Sequence, residues 1–137
     1  MNLSYIDYMN IGQENAVDPS QLAPLALAYV GDAVFEVAAR TMLVNASNES
    51  VNSYNEKARR IVSAAGQSQI MLKIKELLTD EELHIYKRGR NAKSVSVPKN
   101  ATVSDYRHAT GFEALVGYLY LKERHERLNE LLSVALQ

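Results

Sequence analysis

The sequence predicts an all-α protein, a bundle of helices without a sheet. Three observations carry that prediction. Ala and Leu are plentiful, whereas Gly (6) and Pro (3) are scarce. Apolar residues recur at three- and four-residue spacing in one segment after another. No run shows the alternation of a half-buried strand. The 137 residues are 47% hydrophobic, enough for one compact domain over residues 18–137, preceded by an arm at 1–17.

In chain order, the arm holds Tyr5 and Tyr8 but no clean period. Asp18-Pro19-Ser20-Gln21 reads as a helix start with Asp18 as N-cap, although Pro24 lets the start slip to Ala23 or Pro24. This first helix runs through Asp32 to about Val44, and 45–50 is a polar break. A second helix spans 51–65 on the stripe Tyr54, Ala58, Ile61, Val62 and Ala65, and Gly66 marks a break or kink. A third spans 67–78, with Ile70, Met71, Ile74, Leu77 and Leu78 inward. Thr79 to Glu82 is a capping box that opens a fourth helix, which runs into the basic KRGRNAK. Residues 94–101 read as a loop. Thr102 to Asp105 is another capping box, followed by a fifth helix at 104–121 and a last amphipathic one at 123–136.

Composition excludes several classes of function. Without Cys there is no disulfide, thiol nucleophile or Cys-based zinc site. No run is long and apolar enough for a bilayer, and the N-terminus lacks the basic start and apolar core of a signal peptide. A soluble, cytoplasmic protein with no membrane partner is the expectation. Net charge is −1, but residues 57–107 carry +6 and the rest of the chain −7. A basic region on a near-neutral protein points to a polyanion.

The chemistry centres on two carboxylates in apolar surroundings. Asp32 lies at helical spacing from Leu25, Ala28, Tyr29, Phe35 and Ala39. Glu113 stands in the same way among Tyr106, Ala109, Val116, Gly117 and Tyr120. A carboxylate taken out of water needs an ion partner, hydrogen bonds or a metal. Small residues flank both: Ala28, Gly31 and Ala33 in one helix, Ala109, Ala114 and Gly117 in the other. If the two helices pack closely, Asp32 and Glu113 converge. Such a pair suits Mg²⁺, which uses few protein ligands, keeps several waters and supports phosphodiester hydrolysis. Glu36 is a possible third acid. The structural alternative is that Arg40 or Arg107 pairs with the acids.

GDAVFE and FEALVGYLYL resemble the two signature segments of the ribonuclease III catalytic domain, E-x-x-E-x-L-G-D-A and D-x-x-E-A-x-x-G-A. Asp32 and Glu113 match the Asp of the first and the Glu of the second. Together with ALAYVGDAVFEV, YKRGRNAK and YRHATGFEALVGYLYL, they resemble the Mini-ribonuclease III group of that family, which lacks a double-stranded-RNA-binding domain. Leu25, Ala28 and Thr110 stand where the larger enzymes carry further carboxylates. The resemblance implies a ribonuclease III catalytic-domain-like helical bundle and a homodimer. It also implies Mg²⁺-dependent hydrolysis of double-stranded RNA to 5′-phosphate and 3′-hydroxyl ends, in maturation of the 23S ribosomal RNA precursor. Asp32 and Glu113 are then both the catalytic and the metal-binding residues.

A-form RNA is read by shape, 2′-hydroxyls and phosphates. Lys87, Arg88, Arg90, Asn91 and Lys93, with Lys99 beyond Pro98, offer a basic surface that no acid interrupts, and Gly89 allows a turn and a close backbone approach. Arg107 and His108, shortly before Glu113, are further candidates for contact with phosphate. The plain alternative for the run is a solvated charged loop. Two other functions stay open: a non-catalytic RNA-binding or dimerising module that kept the fold, and a metal phosphohydrolase acting on nucleotides.

Overall fold

The computed structural model describes residues 11–93 and 97–137; the first ten residues of the expected arm and residues 94–96 of the expected loop lie outside them. The described residues form an all-helical bundle: α1 (Pro24–Ala46), α2 (Val51–Val62), α3 (Ala64–Ile74), α4 (Asp80–Arg90), α5 (Val103–Leu121) and α6 (His125–Ala135). Among them no helix is long and apolar enough to cross a membrane.

The hub is α5. Every residue from Ala109 to Leu119 is buried except Glu113. A helix that is apolar on all sides can be stable only when neighbours surround it. Here α1, α3, α4 and α6 all pack against it. Phe35, Ile74, Ala114 and Leu119 at the centre are wholly inaccessible.

Two backbone contacts set how closely the helices approach. A Cβ on Gly31 would lie 1.7 Å from the Glu113 carbonyl oxygen, and one on Gly117 would lie 1.9 Å from that of Leu27. Only two facing glycines let α1 and α5 cross at that distance. Gly89 and Gly111 repeat the arrangement between α4 and α5, where a Cβ on Gly89 would fall 2.8 Å from the Gly111 Cα. Gly89 therefore sits inside α4 and serves close packing; the turn expected there does not exist.

Polar groups fix the helix ends. Thr79 and Glu82 form the expected capping box, with Thr79 N–H donating to Glu82 Oε1 at 2.9 Å. Arg127 then grips both oxygens of the buried Glu82 at 2.8 Å, tying α6 to the start of α4. Thr102 Oγ1 accepts from Asp105 N–H at 3.0 Å, so α5 opens one residue before the expected start.

Three boundaries differ from expectation. Asp18 caps a separate 3₁₀ turn, Pro19–Gln21, and α1 begins at Pro24. The second and third helices part at Ser63, not Gly66. Ser63 is extended (φ −61°, ψ 159°) and its Oγ accepts from Gly66 N–H, which starts α3 within its own first turn. The third helix ends at Ile74 and tightens into a 3₁₀ turn, Lys75–Leu77.

Gly31→Ala or Gly117→Ala must push α1 away from α5. Each is expected to cost about 3 kcal/mol or more in urea unfolding. Ala33→Gly, on the exposed side of α1, should cost only about 1 kcal/mol. Equal, small losses in all three would contradict the close crossing.

Candidate active site

The α1–α5 crossing is also where the two acids meet. Asp32 follows Gly31, and Glu113 is the residue whose carbonyl Gly31 faces. Phe35, one turn after Asp32, meets Phe112 edge to face, centroids 4.9 Å apart at 86°. That contact fixes the rotation of both helices. The Asp32 and Glu113 carboxyls lie close enough for each to bear on the other's ionisation. Their settings differ: Asp32 is exposed and Glu113 half-buried. The buried stripe of α1 is Leu27, Ala28, Gly31, Phe35 and Ala39. Leu25 (41% exposed) and Tyr29 (83%) face outward, which puts Asp32 at the edge of the stripe and not on its centre.

Electrostatically the pair is unbalanced. Burial, and next the negative charge of Asp32, push the Glu113 carboxyl up to about 8, against a hydrogen bond from Gln67 that favours the ionised form. The expected third acid is otherwise engaged, since Glu36 accepts from Arg40 at 2.9 Å. Among the described residues neither Asp32 nor Glu113 has a salt bridge to Lys or Arg, so the ion-pair alternative finds no support.

Gln67 is the residue of the candidate site that sequence reasoning missed. It is 2% exposed, on α3, and its Nε2 donates to Glu113 Oε2 at 3.2 Å and to the Val62 carbonyl at 2.9 Å. Its Oε1 is buried with no hydrogen-bond partner, a state that costs about 1–3 kcal/mol and calls for an explanation. The signal was present: Gln67 lies at i−3, i−4 and i−7 from Ile70, Met71 and Ile74, a polar residue on an inward face.

The donor set suits a hard cation. The described residues hold no group of three or more His, Asp or Glu side chains able to share a metal. Leu25 is exposed, Ala28 carries no donor, and Thr110 donates its hydroxyl to the Tyr106 carbonyl at 2.9 Å. Two carboxylates that repel one another, beside a buried amide acceptor, fit an ion that takes oxygen ligands and keeps its own waters. They do not fit the closed four-ligand shell of structural zinc.

The basic segment lies against the same helix. Lys87, Arg88 and Arg90 belong to α4, and Asn91 caps it. Gly89 packs on Gly111 and Ala114, which bracket Glu113 in α5. Lys87, Asn91, Lys93, Lys99 and Arg107 are exposed. Arg88 is half-buried and donates to the Leu22 carbonyl at 3.2 Å, bracing the entry to α1. Arg90 lies over the Tyr86 ring, 5.7 Å from its centroid. His108 Nδ1 is bonded to the buried Tyr86 hydroxyl.

Between the ordinary carboxyl value of 4.5 and about 8, folded Glu113 keeps a proton that the unfolded chain releases. Stability of the metal-free protein must therefore fall as pH rises through that window. Glu113→Gln, which mimics the protonated form, should be more stable than the parent by about 2 kcal/mol at pH 8 and close to it at pH 4.5. Urea melts at both pH values test this; a variant that is less stable at pH 8 would contradict it.

Comparison with known proteins places the chain in a family. The Ribonuclease III domain family matches residues 25–124. The Mini-ribonuclease 3 of Enterococcus faecalis is 49% identical over 118 residues, 85% of this chain and 89% of that protein. That of Brevibacillus brevis is 45% identical over 123 residues, 90% and 92% of the two chains. The crystal structure of a Fusobacterium nucleatum protein superposes with a TM-score of 0.78 at 30% identity, covering 88% of this chain and 97% of that one. With that fold, the matching family and those relatives, the chain belongs to the ribonuclease III family, in its Mini-ribonuclease III group.

Proposed function

We propose that the chain is a Mg²⁺-dependent endoribonuclease that cuts double-stranded RNA as a cytoplasmic homodimer, with the 23S ribosomal RNA precursor as its substrate. The observation that carries this reading is the approach of Asp32 and Glu113 at the α1–α5 crossing, with no Lys or Arg among the described residues paired to either. Membership of a ribonuclease family supplies the reaction class; the resemblance of the sequence supplies the RNA.

Bound Mg²⁺ supplies Lewis acidity and charge neutralisation for phosphodiester hydrolysis. The chain's own residues do the rest. Asp32 and Glu113 hold the ion. Because Glu113 is protonated near neutral pH without it, binding releases a proton, and affinity rises with pH up to about 8. Lys87, Lys93, Lys99 and Arg107 are exposed for contact with phosphates, while Arg88 and His108 keep the surface in place through Leu22 and Tyr86. Water adds to phosphorus and the 3′ oxygen leaves, giving 5′-phosphate and 3′-hydroxyl ends.

The homodimer has support in α1. Tyr29, Val37 and Val44 are 83%, 43% and 58% exposed and, with Ala33, line one outward stripe. An apolar stripe left open beside the active site suits a second copy, which would set one site against each strand of a duplex.

The absent carboxylates at Leu25, Ala28 and Thr110 favour the rival reading of a non-catalytic module, and one assay separates the two. Asp32→Asn and Glu113→Gln should each lower Mg²⁺-dependent cleavage of duplex RNA by more than about a hundredfold, the upper end for losing a group that only orients a metal ligand. Circular dichroism should be unchanged. Near-parental activity in either variant would defeat the assignment, and an inactive parent would favour the module.

Replacing Lys87, Lys93 and Lys99 together by Ala should reduce the salt slope of duplex binding by roughly 2–3. An unchanged slope would leave the basic run as a solvated surface. Sedimentation should show a dimer that Tyr29→Glu with Val37→Glu dissociates; a monomeric parent would refute the assembly.

A further inference from the structure

Gln67 is placed as a side chain selected for what it donates. Burying an amide is costly unless its polar atoms find partners. Here the donor half is engaged and the acceptor half is not: Nε2 serves Val62 O and Glu113 Oε2, while Oε1 has no partner. The orientation is set by chemistry, because a backbone carbonyl only accepts, so nitrogen must face Val62. With one N–H committed there, the other falls to Glu113.

The mount is rigid. Gln67 lies in the first turn of α3, and its backbone N–H donates to the Ser63 carbonyl at 2.9 Å. Ser63 both ends α2 and caps α3. The side chain thus spans from a fixed helix junction to the active-site carboxylate, joining α2, α3 and α5 at one point.

Resting on the proposed metal-dependent reaction, we propose that Gln67 is a positioning residue: by holding Glu113 Oε2 it fixes the carboxylate so that the other oxygen, with Asp32, can take the cation. A neutral donor is the chemistry this task needs. A Lys or Arg in its place would neutralise the pair and compete with the ion. An apolar residue would leave the Glu113 torsion free. Groups that orient metal ligands in this way typically account for about 10- to 100-fold in metal affinity or activity.

The test uses Gln67→Met, which keeps the volume and removes the hydrogen bonds. Mn²⁺ binding to the RNA-free protein, read by electron paramagnetic resonance, should weaken by about 10- to 100-fold. The Mg²⁺ concentration for half-maximal cleavage should rise in parallel, with kcat at saturating Mg²⁺ and KM for duplex RNA changed far less. In a Glu113→Gln background, Gln67→Met should weaken Mn²⁺ binding no further, since its target is gone. Should Gln67→Met fail to fold, Gln67→Asn, which withdraws the amide by one methylene, is held to the same readouts. Mn²⁺ affinity and Mg²⁺ midpoint within about twofold of the parent, in a parent that cleaves, would overturn the role of Gln67 alone. A parent that neither binds Mn²⁺ nor cleaves overturns this role and the proposed function together.

Discussion

The backbone contact between Gly31 and Gly117 is the constraint on which the rest depends. It brings α1 and α5 so close that no Cβ fits at either position. Side chains next to the contact then have no freedom to avoid one another. Asp32 and Glu113 meet because the helices that carry them cannot separate, and Phe35 against Phe112 keeps them from rotating apart. Packing energy, spread over a core centred on α5, holds together two carboxyl groups, of which Glu113 keeps its proton rather than face a second charge.

That arrangement works against stability. Two carboxyl groups brought close, one of them half-buried, with no guanidinium or ammonium of the described residues to balance them, raise the energy of the folded chain. Elsewhere the same protein satisfies its acids: Glu82 sits in the grip of Arg127, and Glu81 takes both Arg124 and the Tyr118 hydroxyl. The contrast separates scaffold from site. Acids that hold helices together have partners, whereas among the described residues the pair at the crossing has each other and a neutral amide. A divalent cation would supply the missing partner, so binding and relief of repulsion become one event.

Much of this was legible in the sequence because it depends on local chemistry. The capping box at Thr79, the cap at Thr102 and the inward Ile70, Met71 and Ile74 of α3 are short-range signals, and the structure repeats them; Leu77, expected inward with them, is 48% exposed because α3 has already ended in a 3₁₀ turn. Small residues beside two isolated acids foretold the close crossing. What was not legible depends on what packs where. Leu25 and Tyr29 look like core from spacing alone, but none of the described elements covers them, so the stripe of α1 is rotated from its expected place. Ser63, an unremarkable residue in sequence, ends α2 because its hydroxyl can serve the next helix, while Gly66 tolerates the helix it was expected to break. Gln67 went unseen because its partner is 46 positions away. Arg88 looked like its basic neighbours until its contact with Leu22 set it apart.

The account turns on one cation shared by two carboxylates from different helices. Crystals of the protein soaked in Mn²⁺ test it most directly, since anomalous scattering marks the ion independently of any assumption about chemistry. The account predicts one strong peak at ligand distance from both Asp32 and Glu113, about 2.1 Å from an oxygen of each. A well-occupied peak elsewhere, or none between these two carboxylates at saturating Mn²⁺, would contradict it.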